Sequence, residues 1–298
     1  MSQFLEPHPP MARMQVRKGL EGRDDIRGSE DGKTNRPYLI LSGVNVHENG
    51  LFVAMLITHA RERTERGDLR EIGVVPSTVL DRGPHYLDAR QLWTFPIEQD
   101  VAAVDSVGRL APPSRESKVI QCLSDLLDAA RRERSASTTV NREHPIAGQV
   151  VWLDLLGDAG AQQSDRFAIY RCLESAGHEW VADHTTRIAC VVLVSAAAKR
   201  ATSPATLPLI TVIPLLNVPA FQGAHAGDQN PSITVPGRSL ELSALTQLVL
   251  TVDYRGHLPF RRPRRVFYTD GALSTWLATS QEFEVVLREI QLLWGLTS

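Results

Sequence analysis

The chain has 298 residues, of which 43% are hydrophobic and 22% charged. That is the balance of a folded globular protein of about two domains, not of a disordered, collagen-like or coiled-coil chain. The 32 basic and 34 acidic residues leave a formal charge of −2, so no global basic field attracts nucleic acid and any such contact must be local. Cys122, Cys172 and Cys190 are far apart and form no C-x-x-C, which argues against a disulfide framework or a zinc cage and fits a reducing cytoplasm. No apolar run reaches the ~18 residues of a membrane helix, and the N-terminus carries no apolar secretory core.

Residues 1–27 are polar and read as a tail, which runs on into a loop as far as Asn35. PYLILS (Pro37–Ser42) is the first strong strand. A Gly/Asn turn region and a second strand, LFVAMLIT (Leu51–Thr58), follow. RERTERGDLR alternates charge sign, as a solvated loop or short helix does. Ile72–Val75 and Gln91–Phe95 read as short strands. Ser114, after Pro112-Pro113, is placed to start a helix. Val119, Ile120, Leu123, Leu126, Leu127 and Ala130 form its apolar face, and fraying is expected through Arg131–Arg134. Residues 135–144 (SASTTVNREH) read as a linker. Beyond it, Gln149–Leu156, Ile188–Ser195, Leu209–Leu216 and Leu245–Val252 read as strands and Ser164–Ala176 as a helix. The closing helix has an apolar face of Phe283, Val286, Leu287, Ile290, Leu293 and Trp294.

The two units share one order of elements. Ser42 ends a strand as Ser195 does, Gln91-Leu92 matches Gln247-Leu248, and Val119/Ile120/Leu123 matches Val286/Leu287/Ile290. The spacing between matched positions grows along the chain, as insertions in a second copy require. The expected architecture is therefore mainly β with flanking helices (α+β), in two tandem β units that each end in a helix. The first spans 28–134 and the second 145–298.

Chemistry concentrates before the first strand and at the end of the second. Arg36 reads either as a guanidinium that holds a phosphate by bidentate, charge-assisted bonds or as a surface arginine ahead of a Pro-initiated strand, and spacing alone favours the second. Thr58 brings a hydroxyl to the end of an apolar strand, where it either bonds a phosphate oxygen or is simply a β-branched strand former, and His59 beside it is either an acid/base or a solvated histidine at a strand end. Gly28-Ser29-Glu30, then Arg36-Pro37, a strand ending in Ile57-Thr58, and Gln91-Leu92-Trp93-Thr94 ahead of an amphipathic helix together resemble the MazF/PemK family of toxin ribonucleases over roughly Gly28–Ala130. The resemblance implies SH3-like barrels and a metal-independent endoribonuclease acting on single-stranded RNA. The RNA 2′-OH would attack the adjacent phosphate, leaving a cyclic phosphate and a 5′-OH. It implies Arg36 and Thr58 as the catalytic pair, with Glu30 and Gln91 as weaker substrate-binding residues; His59 joins the weaker candidates only as the neighbour of Thr58. No cofactor or metal is implied. An antitoxin protein is the implied partner, a membrane is not, and the implied location is the cytoplasm.

Two departures bear on that reading. The family opens on an apolar strand, but Gln15–Ile26 is nearly all polar, so the first barrel is expected to lack or borrow an edge strand. In the second unit GQVVWLD (Gly148–Asp154) resembles the family's opening strand. Yet Ala189-Cys190 stands where Arg-Pro is expected, Leu216 stands where Thr is expected, and Arg187 is a poor substitute. The second copy thus resembles a degenerate barrel, and the two halves would form within one chain the dimer that the family makes from two. Arg261, Arg262, Arg264 and Arg265 form a Pro-broken basic loop that either grips RNA backbone or is a solvated surface. The alternative function is a non-catalytic binding module of the same fold, as in the gyrase-binding CcdB family, since fold does not decide function.

Overall fold

The structure, a computed structural model, describes residues 10–20, 37–48, 50–58, 73–75, 80, 85–100, 102, 104–112, 114–154, 187–202, 208–216, 230–254, 266–267 and 275–296. It is mainly β, with two curled antiparallel half-barrel sheets and few helices. In the first half the strands are β1 (Gln15–Lys18), β2 (Pro37–Ile40), β3 (Leu51–Thr58), β4 (Gly73–Val75), β5 (Tyr86–Pro96) and β6 (Val107–Ala111). The helices are α1 (Val44–Glu48) and α2 (Ser114–Ala136). In the second half they are β7 (Gln149–Asp154), β8 (Arg187–Val194), β9 (Leu209–Leu216), β10 (Ser232–Thr234), β11 (Glu241–Ala244), β12 (Leu250–Asp253), β13 (Val266–Phe267) and β14 (Trp276–Leu277). Its helices are α3 (Ala196–Thr202) and α4 (Ser280–Leu293).

The sheet orders run in parallel. The first is β4-β6-β1-β2-β3-β5. The second is β10-β11-β9-β8-β7-β13, with β12 on β9 and β14 on β7. Thus β1-β2-β3 and β7-β8-β9 are the same antiparallel run, each flanked by later strands and followed by a helix. Local geometry matches as well. Met14 and Gly148 each precede the opening strand with a positive φ, of 62° and 76°. Each donates its N–H at 2.8 Å to a strand carbonyl, Met14 to Ile40 and Gly148 to Val192. Each is followed by a Gln whose Oε1 accepts the N–H of the residue three before it, Ala12 in one case and Ile146 in the other.

The expectation of a polar tail over 1–27 is corrected at Gln15–Lys18, while residues 1–9 and 21–27 lie outside the described residues. Gln15–Lys18 is a strand in the interior of the first sheet, paired with β2 on one side and β6 on the other. Polarity concealed it because Arg17 is fully buried as one partner of an ion pair, and hydropathy alternation cannot register such a residue. The first sheet therefore has its opening strand and borrows none. The turn region after Ser42 holds α1. Leu245–Val252 is not continuous strand: Leu245–Val249 turns between β11 and β12, with Leu248 N–H bonded to Leu245 C=O at 2.8 Å. Ser164–Ala176 lies outside the described residues.

Alternation along the strands sorts side chains into two cores. Leu39, Val53, Met55 and Val191 join one that α2 and α4 cover, and Tyr38, Ile40, Phe52, Ala54, Cys190 and Val192 join the other. Both cores draw on both halves. α4 buries Phe283, Val286, Leu287 and Ile290, each worth about 1.5–3 kcal/mol on full burial. Its start is fixed by a capping box, in which the Thr279 hydroxyl accepts from Glu282 N–H and the Glu282 carboxylate accepts from Thr279 N–H. α2 does not fray at Arg131–Arg134. Arg131 pairs with Glu284 of α4 at 2.7 Å, and Arg134 donates to the Ala278 carbonyl at 2.7 Å. The expected linker is tied down beyond Ser137, because Asn141 and Gln149 exchange two bonds of 3.0 and 3.1 Å.

The halves meet where β5 and β12 come edge to edge. Thr94 N–H donates to Val249 C=O at 2.8 Å. Thr94 Oγ1 accepts from Val249 N–H and donates to Gln247 C=O, both at 2.7 Å. Across the seam, Thr251 Oγ1 accepts from Leu92 N–H at 3.1 Å and donates to Leu92 C=O at 2.9 Å. The two threonines occupy matching places. Thr94 pairs with Val53 on β3, and Thr251 with Thr211 on β9.

Candidate functional site

The β2–β3 hairpin positions the motif residues. Tyr38 faces Leu56 and Leu39 faces Met55, so β2 begins at the end of the ladder where β3 finishes. Thr58, the last residue of β3, is paired through its backbone with Tyr86 of β5. Arg36 directly precedes β2 in sequence and lies outside the described residues, as do Glu30, His59, Arg261, Arg262, Arg264 and Arg265. Gln91 is described. It lies on β5 beside a register irregularity, where Met55 and Ile57 of β3 face Leu92 and Leu87. The residue is 4% exposed, which suits support of the strand better than direct reading of a base.

A polar cluster that the sequence analysis missed lies on the other flank of β2. Arg17 on β1 and Asp100, just past a 3-10 turn at Ile97–Gln99, form a bidentate pair: Nη2 to Oδ2 at 2.6 Å and Nε to Oδ1 at 3.2 Å. The Tyr38 hydroxyl donates a short hydrogen bond to Asp100 Oδ1. Arg17 Nη1 also reaches Gln15 Oε1 at 3.0 Å. Arg17 is 0% exposed and Asp100 6%, so two charges are withdrawn from water and must satisfy each other. Burial, and then the Asp100 charge, push the Tyr38 hydroxyl far above its usual range. Phe52 stacks on Tyr38 with ring centroids 5.7 Å apart. Nearby, His47 Nε2 lies 3.1 Å from Ser42 Oγ, which accepts the Val53 N–H at 2.9 Å. Burial, followed by the Arg17 charge, lowers the His47 pKa. Ser42 is fully buried, so this pair braces the β2–α1 corner and offers no accessible nucleophile.

The cluster holds β1 in place, and its closed geometry leaves the Arg17 guanidinium no free face for a phosphate. One signal could have exposed it: Met14-Gln15-Val16 repeats as Gly148-Gln149-Val150, which places Arg17 opposite Val151 in the match. The Cys190 thiol is buried and the Cys122 thiol half-buried, and neither is placed as a reactive group. Burial raises Cys122 to about 12 and pushes Cys190 higher still, while Cys172 lies outside the described residues. Among the described residues no group of three His, Cys, Asp or Glu side chains is placed to hold a metal, and no described helix is long and apolar enough to cross a membrane. A hollow of about 300 Å³ opens between Glu133, Asn141, His144 and Ala196, against the linker and on neither flank of β2. Comparison with protein-family models, with curated proteins and with solved structures finds no match to this chain.

Proposed function

We propose that the chain is a MazF/PemK-like, metal-independent endoribonuclease that cuts single-stranded RNA in the cytoplasm, built from two tandem SH3-like barrels that act as an internal dimer. The tandem reading is supported by the parallel strand orders and by the matched Met14/Gly148 and Gln15/Gln149 geometry. The catalytic reading is carried by one observation: β2 begins at the end of the ladder where β3 finishes, so Arg36 is joined in sequence to the strand end that adjoins Thr58. At such a place an Arg stabilises the negative charge that gathers on the phosphorane as the 2′-OH attacks and the 5′-oxygen leaves. The Thr hydroxyl would hold a non-bridging oxygen.

Carried onto the second half, the register sets Ala189 in the place of Pro37 and Leu216 in the place of Thr58. Ile188 then replaces Arg36, one residue before the pair expected from sequence spacing. Neither a guanidinium nor a hydroxyl stands there, which supports one site per chain. The burial of Gln91 favours the second reading, a non-catalytic protein-binding module of the same fold. An RNA cleavage assay separates the two. The enzyme reading expects 5′-OH products from the wild type and their loss in Arg36→Ala, with Arg187→Ala nearly unaffected. A wild type that leaves all RNA substrates intact removes the enzyme reading.

A further inference from the structure

We infer that the hollow between the last turn of α2, the linker and α3 is a binding site for a small aliphatic primary amine, whose ammonium group the Glu133 carboxylate holds. The inference does not rest on the ribonuclease reading, since none of its residues belongs to the Arg36–Thr58 motif. The hollow has a volume of about 300 Å³, at the lower end of the roughly 300–1,000 Å³ of small-molecule sites. Pro145, Ile146, Ala196 and Ala197 give it apolar walls, and Glu133 is the acidic side chain that lines it.

The charge of the site selects the ligand. Glu133 stands in the last turn of a 23-residue helix. The carbonyl ends gathered there carry partial negative charge, which favours a cation and opposes a carboxylate. One carboxylate oxygen, Oε2, accepts the Ala147 N–H at 3.0 Å, and Oε1 takes no hydrogen bond or ion pair among the described residues. The neighbouring arginines are committed elsewhere, Arg131 to Asp128 and Glu284, and Arg134 to the carbonyls of Ala278 and Ser137. Lys199 is buried on α3 but does not line the hollow. A half-buried carboxylate with an oxygen to spare, at the negative end of a helix, favours an N–H donor that carries charge. A hard metal ion fits poorly, because it needs more oxygen ligands than one carboxylate supplies. The apolar walls favour a ligand whose ammonium is joined to a compact aliphatic body. The loop is built in advance: Asn141 Oδ1 accepts the N–H groups of Glu143 and His144 at 3.0 and 2.9 Å, and His144 Nδ1 lies 3.2 Å from the Tyr254 hydroxyl. Binding therefore has little chain to order.

The test titrates the full chain with isoamylamine, and with isoamyl alcohol as its neutral match, and follows amide NMR shifts. The expected result is saturable shifts at Ala147, Ala196 and Ala197 for the amine, with the alcohol about tenfold weaker or more. Glu133→Gln should weaken the amine about tenfold and leave the alcohol unchanged, because the amide oxygen still accepts from the Ala147 N–H. Ala197→Leu, at an exposed position, should block both by filling the hollow. Wild-type shifts that are absent or never saturate would overturn the inference. So would amine and alcohol that bind equally, or an amine that binds Glu133→Gln or Ala197→Leu as well as the wild type. The comparison of amine with alcohol needs no variant, so it decides the matter even where a substitution disturbs the fold.

Discussion

Arg17 and Tyr38 face each other across β1 and β2, and Val151 and Cys190 face each other at the matching place across β7 and β8. The first pair is polar and tied to Asp100, and the second is apolar and, among the described residues, tied to nothing charged. Both pairs are fully buried, and both sit in the same antiparallel frame. The frame itself therefore does not demand the ion pair. A buried pair of this kind roughly balances its own desolvation, while breaking it strands a charge in the core. The comparison teaches that the first half depends on three residues acting together where the second depends on packing.

The sharpest way to break the comparison is to remove one partner. Arg17→Ala leaves the Asp100 carboxylate buried and unpaired, and chemical denaturation should show a loss of about 3–5 kcal/mol. Installing the second half's solution, Arg17→Val with Asp100→Leu, should recover more than half of that loss. A double variant as unstable as the single one would mean that the first sheet is specified by the ion pair after all.

The glycine at the opening of β7 gives the next largest effect. Gly148 has a φ of 76°, and a Cβ there would collide with the Arg134 side chain. Gly148→Ala should cost about 1–3 kcal/mol by thermal or denaturant unfolding. Met14 already occupies the matching conformation at a φ of 62°, so the first half tolerates a side chain in this turn and the second does not. An alanine at 148 without cost would place the constraint elsewhere.

The smallest effect is a difference in alkaline behaviour. The folded state raises the Tyr38 pKa above its ordinary value of 10.0, by burial and then by the Asp100 charge. The protonated hydroxyl is thus favoured by folding, and its contribution is complete below pH 10 and lost as pH rises beyond it. Cys190, raised by burial from 9.0, behaves likewise from pH 9 upward. In Tyr38→Phe the first loss should disappear, at a cost of about 1 kcal/mol near neutrality. In Cys190→Val the second should disappear. Stability curves from pH 8 to 11 read both, and identical curves for the two variants and the wild type would refute the assignment.

Much of the frame was legible because strands buried on both faces announce themselves as continuous apolar runs. β3 and β9 were read to the residue, and the apolar faces of α2 and α4 followed from helical period. β1 was not legible, since its interior residue is an arginine whose burial depends on Asp100, 83 residues away. The seam was equally hidden: Gln91-Leu92 and Gln247-Leu248 stood out as similar words, but the register matches Leu92 with Val249 and Thr94 with Thr251. Two threonines in strands look like ordinary β-formers, and only their shared hydrogen bonds distinguish them. Of the candidate site, Gln91 and the backbone of Thr58 are described. The reading of Arg36 and Glu30 still rests on the motif.

The seam also sets an order in time. β5 is complete at Pro96, yet Val249, which donates to Thr94, follows it by 155 residues. At about 5–20 residues per second of synthesis, that interval is roughly 8–30 s. Throughout it, a nascent chain carries a long strand with one side unoccupied. Chains growing side by side on one message would present identical open strands to one another at high local concentration. The yield of correctly closed protein should therefore depend on how quickly the second half is made, and slowing translation between residues 137 and 247 would lengthen the exposure without changing a single amino acid.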